Sequence, residues 1–256
     1  MITEAYDAAA ADYDGRVEGD TWMRAELWER YAQLFEPGQT VLDVGSGTGI
    51  DALFLARNGI RVLGVDVSPS MIAQARAKLI NARLEDLIEL RVMDVAGLGA
   101  LPEAGFDGII SAFASLSTVA DLHGFATEAA RLLKPQGTLL VHLLNRWSGW
   151  EWLGLVRNGL FRATRHLGRN PDRNFSIGGR GVRHHLYHAH EAYRRFFAAR
   201  FRLRRAYGLG ILRPPHTLRR IPSAVVTALD RLERPVRARR PFINWGRFFV
   251  LELEKR

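Results

Sequence analysis

The run Thr40-Val41-Leu42-Asp43-Val44-Gly45-Ser46-Gly47-Thr48-Gly49 constrains this chain more than any other stretch. A short apolar segment passes directly into alternating glycines, which reads as a buried strand feeding a tight turn with a helix behind it. Such a strand needs partners on both edges and helices on both faces, so the pattern selects the parallel α/β architectures. The flanking sequence repeats the same unit. Residues 22–35 place Leu27, Trp28, Tyr31 and Leu34 on one helical stripe that ends at Glu36-Pro37-Gly38. The helix after the turn runs to Asn58-Gly59, a stop signal, and Arg61 to Asp66 is the next strand. Ser68-Pro69 supplies a cap and a first-position proline for a helix over Ser70 to Lys78. Ile88 to Asp94, Gly108 to Phe113 and Thr138 to Leu144 read as three further strands, with a helix over 121–133.

After Arg146 the alternation is lost. The sequence predicts a helix from Trp150 to about His166 and a loop through Gly168 to Asp172. It then predicts a strand over Gly181 to Tyr187, a helix over His190 to Ala199, and strands over Arg202 to Tyr207 and Phe248 to Leu253. The expected organisation is one α/β domain built from residues 1–146 and 181–256, interrupted by a helical and loop insertion over 147–180.

Charge follows the same division. Residues 1 to 145 carry 11 basic and 20 acidic side chains, a balance of −9, and residues 146 to 256 carry 25 basic and 7 acidic, a balance of +18. An asymmetry of this size implies that the second part meets something anionic: phosphate, lipid headgroups, nucleic acid, or the acidic part of the same chain. There is no cysteine, which removes disulfides, thiolate metal sites and a cysteine nucleophile, and suits a reducing compartment. No run approaches the ~18 consecutive apolar residues of a membrane span, and the acidic, Ala-rich start is unlike a basic signal segment. A cytoplasmic protein is expected.

In parallel α/β sheets ligands bind beyond the carboxyl ends of the strands, where the first turn offers free backbone N–H groups. Glycines at 45, 47 and 49 keep side chains off the approach face. A dinucleotide fingerprint would need its third glycine where this chain has Ile50, which argues against a nicotinamide dehydrogenase. Asp66, at the end of the second strand, is placed to take both hydroxyls of a ribose. Asp94, ending the third, is placed to accept from an exocyclic amine.

The ordered set Asp43-x-Gly45-x-Gly47-x-Gly49, Asp66, Asp94, Phe106-Asp107 and Leu132-Leu133-Lys134-Pro135-Gln136-Gly137 resembles the class I S-adenosylmethionine-dependent methyltransferases over about residues 6 to 145. The resemblance implies a doubly wound, Rossmann-like sheet of seven mostly parallel strands, the last two forming a closing antiparallel hairpin. Its basic insertion follows the fifth strand. It implies S-adenosylmethionine as cofactor, with Gly45, Ser46 and Gly47 beneath the methionine moiety and Asp43 organising the turn. Asp66 would then hold the ribose, Asp94 and Val95 flank adenine, and Ser111, Ala112 and Phe113 line the sulfonium side, with Val67 and Met71 as further cofactor contacts. Tyr13, with Tyr6-Asp7, Ala10 and Asp14, resembles the amino-terminal segment that closes over the cofactor. Many relatives have Leu-His after the fourth strand; Leu116-Ser117 stands here, so no histidine role carries over.

Transfer of a methyl group from a sulfonium is an in-line displacement with a neutral leaving group, so alignment dominates, with a base only where the nucleophile must lose a proton. His142, inside an apolar strand, is the one weak base candidate. Asn145, Arg146, Trp147, Trp150, Tyr187 and His216 are candidate acceptor contacts. The cluster His184, His185, His188 and His190 lacks a carboxylate at ligand spacing, and no metal is expected. The acceptor is expected to be a small molecule that is aromatic, lipid-like or anionic. Trp147, Trp150 and Trp152 beside several arginines also suit peripheral contact with an anionic membrane. A nucleic-acid methyltransferase and a non-catalytic cofactor-binding interaction protein are the alternatives. Nucleic acid is not expected, since the fourth strand ends Ser111-Ala112-Phe113-Ala114 with no Pro-Pro-aromatic motif, and cytosine C5 chemistry lacks its cysteine.

Overall fold

The computed structural model describes residues 1–215, 218 and 221–256. Its amino-terminal segment is helical: α1 (Ile2–Ala9), α2 (Tyr13–Val17) and α3 (Thr21–Leu34). The alternating region follows as β1 (Thr40–Val44), α4 (Ile50–Arg57), β2 (Arg61–Asp66), α5 (Pro69–Ala82), β3 (Ile88–Val92), β4 (Phe106–Ser111), α6 (Leu122–Leu132) and β5 (Leu133–Leu144). Ser68 caps α5 as its sequence implied, its hydroxyl accepting from the Met71 N–H at 3.1 Å.

Beyond β5 come α7 (Gly149–Arg157), α8 (Phe161–Thr164), β6 (Asp172–Ile177), β7 (Arg180–His185), α9 (Ala189–Ala192), β8 (Phe201–Leu209), α10 (Ser223–Glu233) and β9 (Phe248–Lys255). The main sheet has the order β3-β2-β1-β4-β5-β9-β8. Its first five strands are parallel, and β9 runs antiparallel to both of its neighbours, β5 and β8. This is the seven-stranded, doubly wound sheet expected from the sequence. The strand order reverses between β1 and β4, which opens a crevice at their carboxyl ends.

Period-two alternation divides the core into two layers. Leu42, Val65, Ile109 and Val141 pack on one face against Phe125, Ala129 and Leu132 of α6. Val41, Val62, Ile110 and Leu140 pack on the other against Leu27 and Tyr31 of α3, Leu55 of α4 and Ile72 of α5.

The insertion differs from its expectation. Helix stops at Arg157 and resumes for one turn at Phe161, because Asn158-Gly159 ends it with Gly159 at φ +72°. The stretch read as loop continues into β6, which pairs with β7 as a separate two-stranded ribbon running across the expected boundary at residue 180. The helix expected over 190–199 is instead short α9 followed by one π turn, Tyr193–Phe197. Helix α10 was not anticipated. Among the described residues no helix is long and apolar enough to cross a membrane.

Candidate functional site

The crevice is a cavity of about 630 Å³. Its floor is the glycine turn after β1. Gly45 stands at φ +74°, and a Cβ there would lie 2.4 Å from that of Ser115, so no other residue fits. At Gly47, φ +52°, the nearest atom to a Cβ would be Tyr13 at 4.0 Å, because this face of the turn is open to the cavity. The Gly45 and Ser46 N–H groups donate to the Val65 carbonyl at 2.8 and 3.0 Å, tying the β1 turn to β2.

Asp66 completes that tie. One carboxylate oxygen accepts from the Gly47 N–H and the other from the Ser68 N–H, both at 2.9 Å. Each oxygen keeps a lone pair for a ligand hydroxyl. Burial pushes this carboxyl upward, and the two N–H groups oppose the shift. Val67, Met71, Asp94 and Val95 line the same cavity. One Asp94 oxygen accepts from the Ala96 N–H at 3.2 Å.

The roof comes from the amino-terminal helices. Tyr6 and Tyr13 line the cavity, and burial drives both phenols up, Tyr13 to about 12. Asp7 fastens α1 by accepting from the Ser68 hydroxyl at 2.5 Å and the Ser70 N–H at 3.0 Å, bonds that lower its own carboxyl. Asp14 fastens α2 through the Thr48 hydroxyl at 2.6 Å and an ion pair with Lys78.

A small recess continues from the cavity beneath Tyr13 and Phe113, and Ser46, Ala112 and Arg24 line it. Arg24 was not anticipated, since nothing local in the sequence links it to Asp51, its ion-pair partner 27 residues away. Its guanidinium lies 4.1 Å from the Phe113 ring centroid, and the Trp28 indole donates to Asp51 at 2.8 Å. Asp51 lines the recess too, which thus holds an ion pair beside the Ser46 hydroxyl, a group with no partner.

Phe113 and Ala114 both stand at positive φ, +49° and +61°. Two consecutive non-glycine residues there cost of order 1–3 kcal/mol each, so the surroundings must hold them. His142 does so. Its Nδ1 accepts from the Phe113 N–H at 3.1 Å and its carbonyl from the Ala114 N–H at 3.0 Å. The ring is fully buried, lines neither space, and is driven down to about 3 by burial and then by Arg24 and Arg247. The structure therefore makes His142 the neutral support of a strained turn and not a base within reach of substrate.

Asp43 and Ser111 also lie outside the lining, fully enclosed beneath the turn. Burial and neighbouring Asp51 raise the Asp43 carboxyl. The expected acceptor contacts are turned away as well. The Asn145 side-chain amide spans the carbonyls of Gly246, Phe248 and Ile243 at 2.9 to 3.2 Å. Arg146 donates to the Leu186 carbonyl and pairs with Glu191 at 2.8 Å. Tyr187 packs on Phe196, and Trp147 on Trp245. Trp150 lines neither space, and His216 lies outside the described residues.

Residues 42–141 match the family profile of the methyltransferase domain. Over these residues the chain is similar to the class I S-adenosylmethionine-dependent methyltransferases. The cofactor of that domain is S-adenosylmethionine. A demethylmenaquinone methyltransferase from Tropheryma whipplei is 40% identical over 143 residues, covering 55% of this chain and 57% of that protein. A ubiquinone biosynthesis O-methyltransferase from Xanthomonas campestris is 34% identical over 115 residues, 45% of this chain and 47% of that one. The chain spans about half the length of these curated relatives. In a solved complex from Haloferax volcanii, the protein bound to the Trm112 methyltransferase activator matches with TM-score 0.65 and 23% identity, over 100% of this chain and 97% of that one. Within the methyltransferase domain, the matched residues run from Leu42 to Val141, which holds the glycine turn, Asp66, Asp94 and Phe113 but leaves out the roof helices and Arg24.

Proposed function

We propose that this chain transfers a methyl group from S-adenosylmethionine to a small, uncharged, largely apolar acceptor of the quinol or phenol type. The observation that carries the reading is electrostatic. Asp66, Asp94, Asp121 and Glu128 all line the cavity, and no lysine, arginine or histidine does so among the described residues. A negative cavity attracts a sulfonium and an ammonium and repels a pyrophosphate or a polynucleotide. It disfavours the anionic acceptors and nucleic acids left open by sequence, and a dinucleotide with them.

The residues present fit the cofactor group by group. The free lone pairs of Asp66 suit a ribose diol, and the second oxygen of Asp94 suits the adenine amine, with Val67, Met71 and Leu116 supplying apolar walls. The open face of Gly47 leads to Ser46 and Arg24, which suit the methionine carboxylate. When bound, the cofactor supplies an electrophilic methyl group on a good neutral leaving group. The chain's own part is to align and to exclude water: Tyr6 and Tyr13 cover the crevice and stay protonated.

Among the described residues no histidine or lysine lines the cavity to act as a base at this end. Asp121 caps α6 through the Gly124 N–H at 2.8 Å, and Glu128 pairs with Arg131 at 2.8 Å. An electron-rich acceptor meets this limit, its proton passing to solvent as the methyl group is transferred, and the apolar lining of Leu116, Val119 and Phe125 suits its ring. The quinone-linked relatives support the same class.

The test is incubation with methyl-tritiated S-adenosylmethionine and a panel of naphthoquinols, phenols and short duplex oligonucleotides. Label in a quinol or phenol product, with S-adenosylhomocysteine formed in equal amount, is the expected result. Label in the oligonucleotide, or cofactor binding without any transfer, would overturn it and favour respectively a nucleic-acid enzyme or a cofactor-dependent interaction protein.

A further inference from the structure

The segment between β5 and β6 carries an unusual surface. Trp152, Leu153, Leu160 and Phe161 are exposed by 42, 47, 53 and 62%, a concentration of large apolar side chains within ten residues of chain. Arg157, Arg162, Arg165 and Arg169 are interleaved with and follow them, all exposed, and no acidic residue occurs from Trp152 to Pro171. Elsewhere in the basic part arginines meet carboxylates: Arg146 pairs with Glu191, Arg173 with Glu151, Arg180 with Glu4, and Arg237 with Glu26. None of the four on this segment forms an ion pair with a described residue. Trp245, 40% exposed, extends the face at the start of α7, where its carbonyl accepts from the Gly149 N–H at 3.0 Å and its ring packs on Trp147.

We propose that α7 and α8 form a docking face for an anionic phospholipid surface. Trp152, Leu153, Leu160 and Phe161 enter the boundary between headgroups and acyl chains, while the four arginines meet headgroup phosphates. Aromatic and aliphatic side chains beside unpaired arginines are the composition of an interfacial helix, and long basic side chains lay their stems along apolar surface while the charge reaches polar groups. Charge complementarity selects the anionic lipid, and the exposed leucines select a lipid over a nucleic acid, since a phosphodiester backbone offers aliphatic groups nothing to enter. The inference stands apart from the acceptor reading, because none of these side chains lines the cavity.

Sedimentation of the full chain with vesicles tests it. Vesicles of phosphatidylcholine mixed with phosphatidylglycerol should carry the protein down in low salt, and vesicles of phosphatidylcholine alone should not. Trp152→Ser with Phe161→Ser should abolish capture, and Arg162→Gln with Arg165→Gln should weaken it by about five-fold per charge removed. Both double variants should keep the wild-type affinity for S-adenosylhomocysteine, which separates loss of docking from loss of folding. Capture that survives the Trp152 and Phe161 changes would show charge alone at work and overturn the proposal. So would capture of a duplex oligonucleotide without capture by mixed vesicles, or no capture by either.

Discussion

Asp66 joins three functions in one carboxylate: it ties the β1 turn to the start of α5, shapes the cavity floor, and presents two acceptors inward. Asp66→Asn keeps the shape but removes the charge and one acceptor, so calorimetry should show binding of S-adenosylhomocysteine weakened about ten- to hundred-fold, as expected for a hydrogen bond to a charged group. His142 makes a different prediction. Its folded value of about 3 lies below the ordinary 6.5, so the unfolded chain takes up the proton first as pH falls. The stability it contributes is whole above about pH 6.5 and is lost on acidification towards pH 3, by up to roughly 1.4 kcal/mol per unit. Denaturant unfolding between pH 7 and 5 should show a steeper decline for wild type than for His142→Gln. Methyl transfer by that variant should show no new titration near neutrality. Residues at strand ends were legible because topology alone sends them to the ligand edge, as with Asp66 and Asp94. Asn145 was misread for the same reason: it follows a strand end, but β9 lies beside that strand, and its amide is used to satisfy carbonyls there. Arg24 was invisible because a residue that reaches the site from a separate helix leaves no local pattern.

At the scale of elements, the β6–β7 ribbon bears on the roof. Its turn packs on α1, where a Cβ on Gly178, φ +55°, would lie 2.4 Å from the Ala5 carbonyl. Arg180 pairs with Glu4 at 2.6 Å beside it, and Ile177 packs on Ala9, Ala10 and Met71. Gly178→Ala should therefore loosen α1 by about 1–3 kcal/mol while the sheet is unaffected. Hydrogen exchange should show faster exchange over residues 2–17, with protection of β1 and β4 unchanged and weaker cofactor binding. The alternating strands and helices up to Leu144 were readable because each buries its own periodic face. Of the ribbon, β7 was readable but β6 was not, since β6 has little buried surface of its own and is defined by pairing with β7. Helix α10 is fixed from outside in the same way: Glu233 accepts from the N–H groups of Gly210 to Arg213, contacts across 20 to 23 residues.

Across the whole molecule, the charge division of the sequence becomes in part an internal interface. Arg234 and Arg237 meet Glu26, Arg247 meets Asp20, Arg180 meets Glu4, and Glu252 returns the contact to Arg30. Of the anionic partners open to the basic part, the acidic part of the same chain is thus one. Glu26 serves two arginines at once, and Glu26→Gln leaves the largely buried Arg237 without its counter-charge. A loss of about 2–4 kcal/mol in denaturant unfolding is expected, largely retained in high salt because the pair is shielded from solvent. The excess positive charge left over lies on surfaces such as α7 and α8, and the negative charge of the first part is drawn into the cavity, where it selects the ligand. That selection is the central claim, and a calorimetric titration of the full chain with S-adenosylhomocysteine and with NAD tests it most directly. The account predicts one-to-one micromolar binding of S-adenosylhomocysteine, lost in Asp66→Ala, and no binding of NAD. Binding of NAD without S-adenosylhomocysteine, or S-adenosylhomocysteine affinity unaltered by Asp66→Ala, would contradict it.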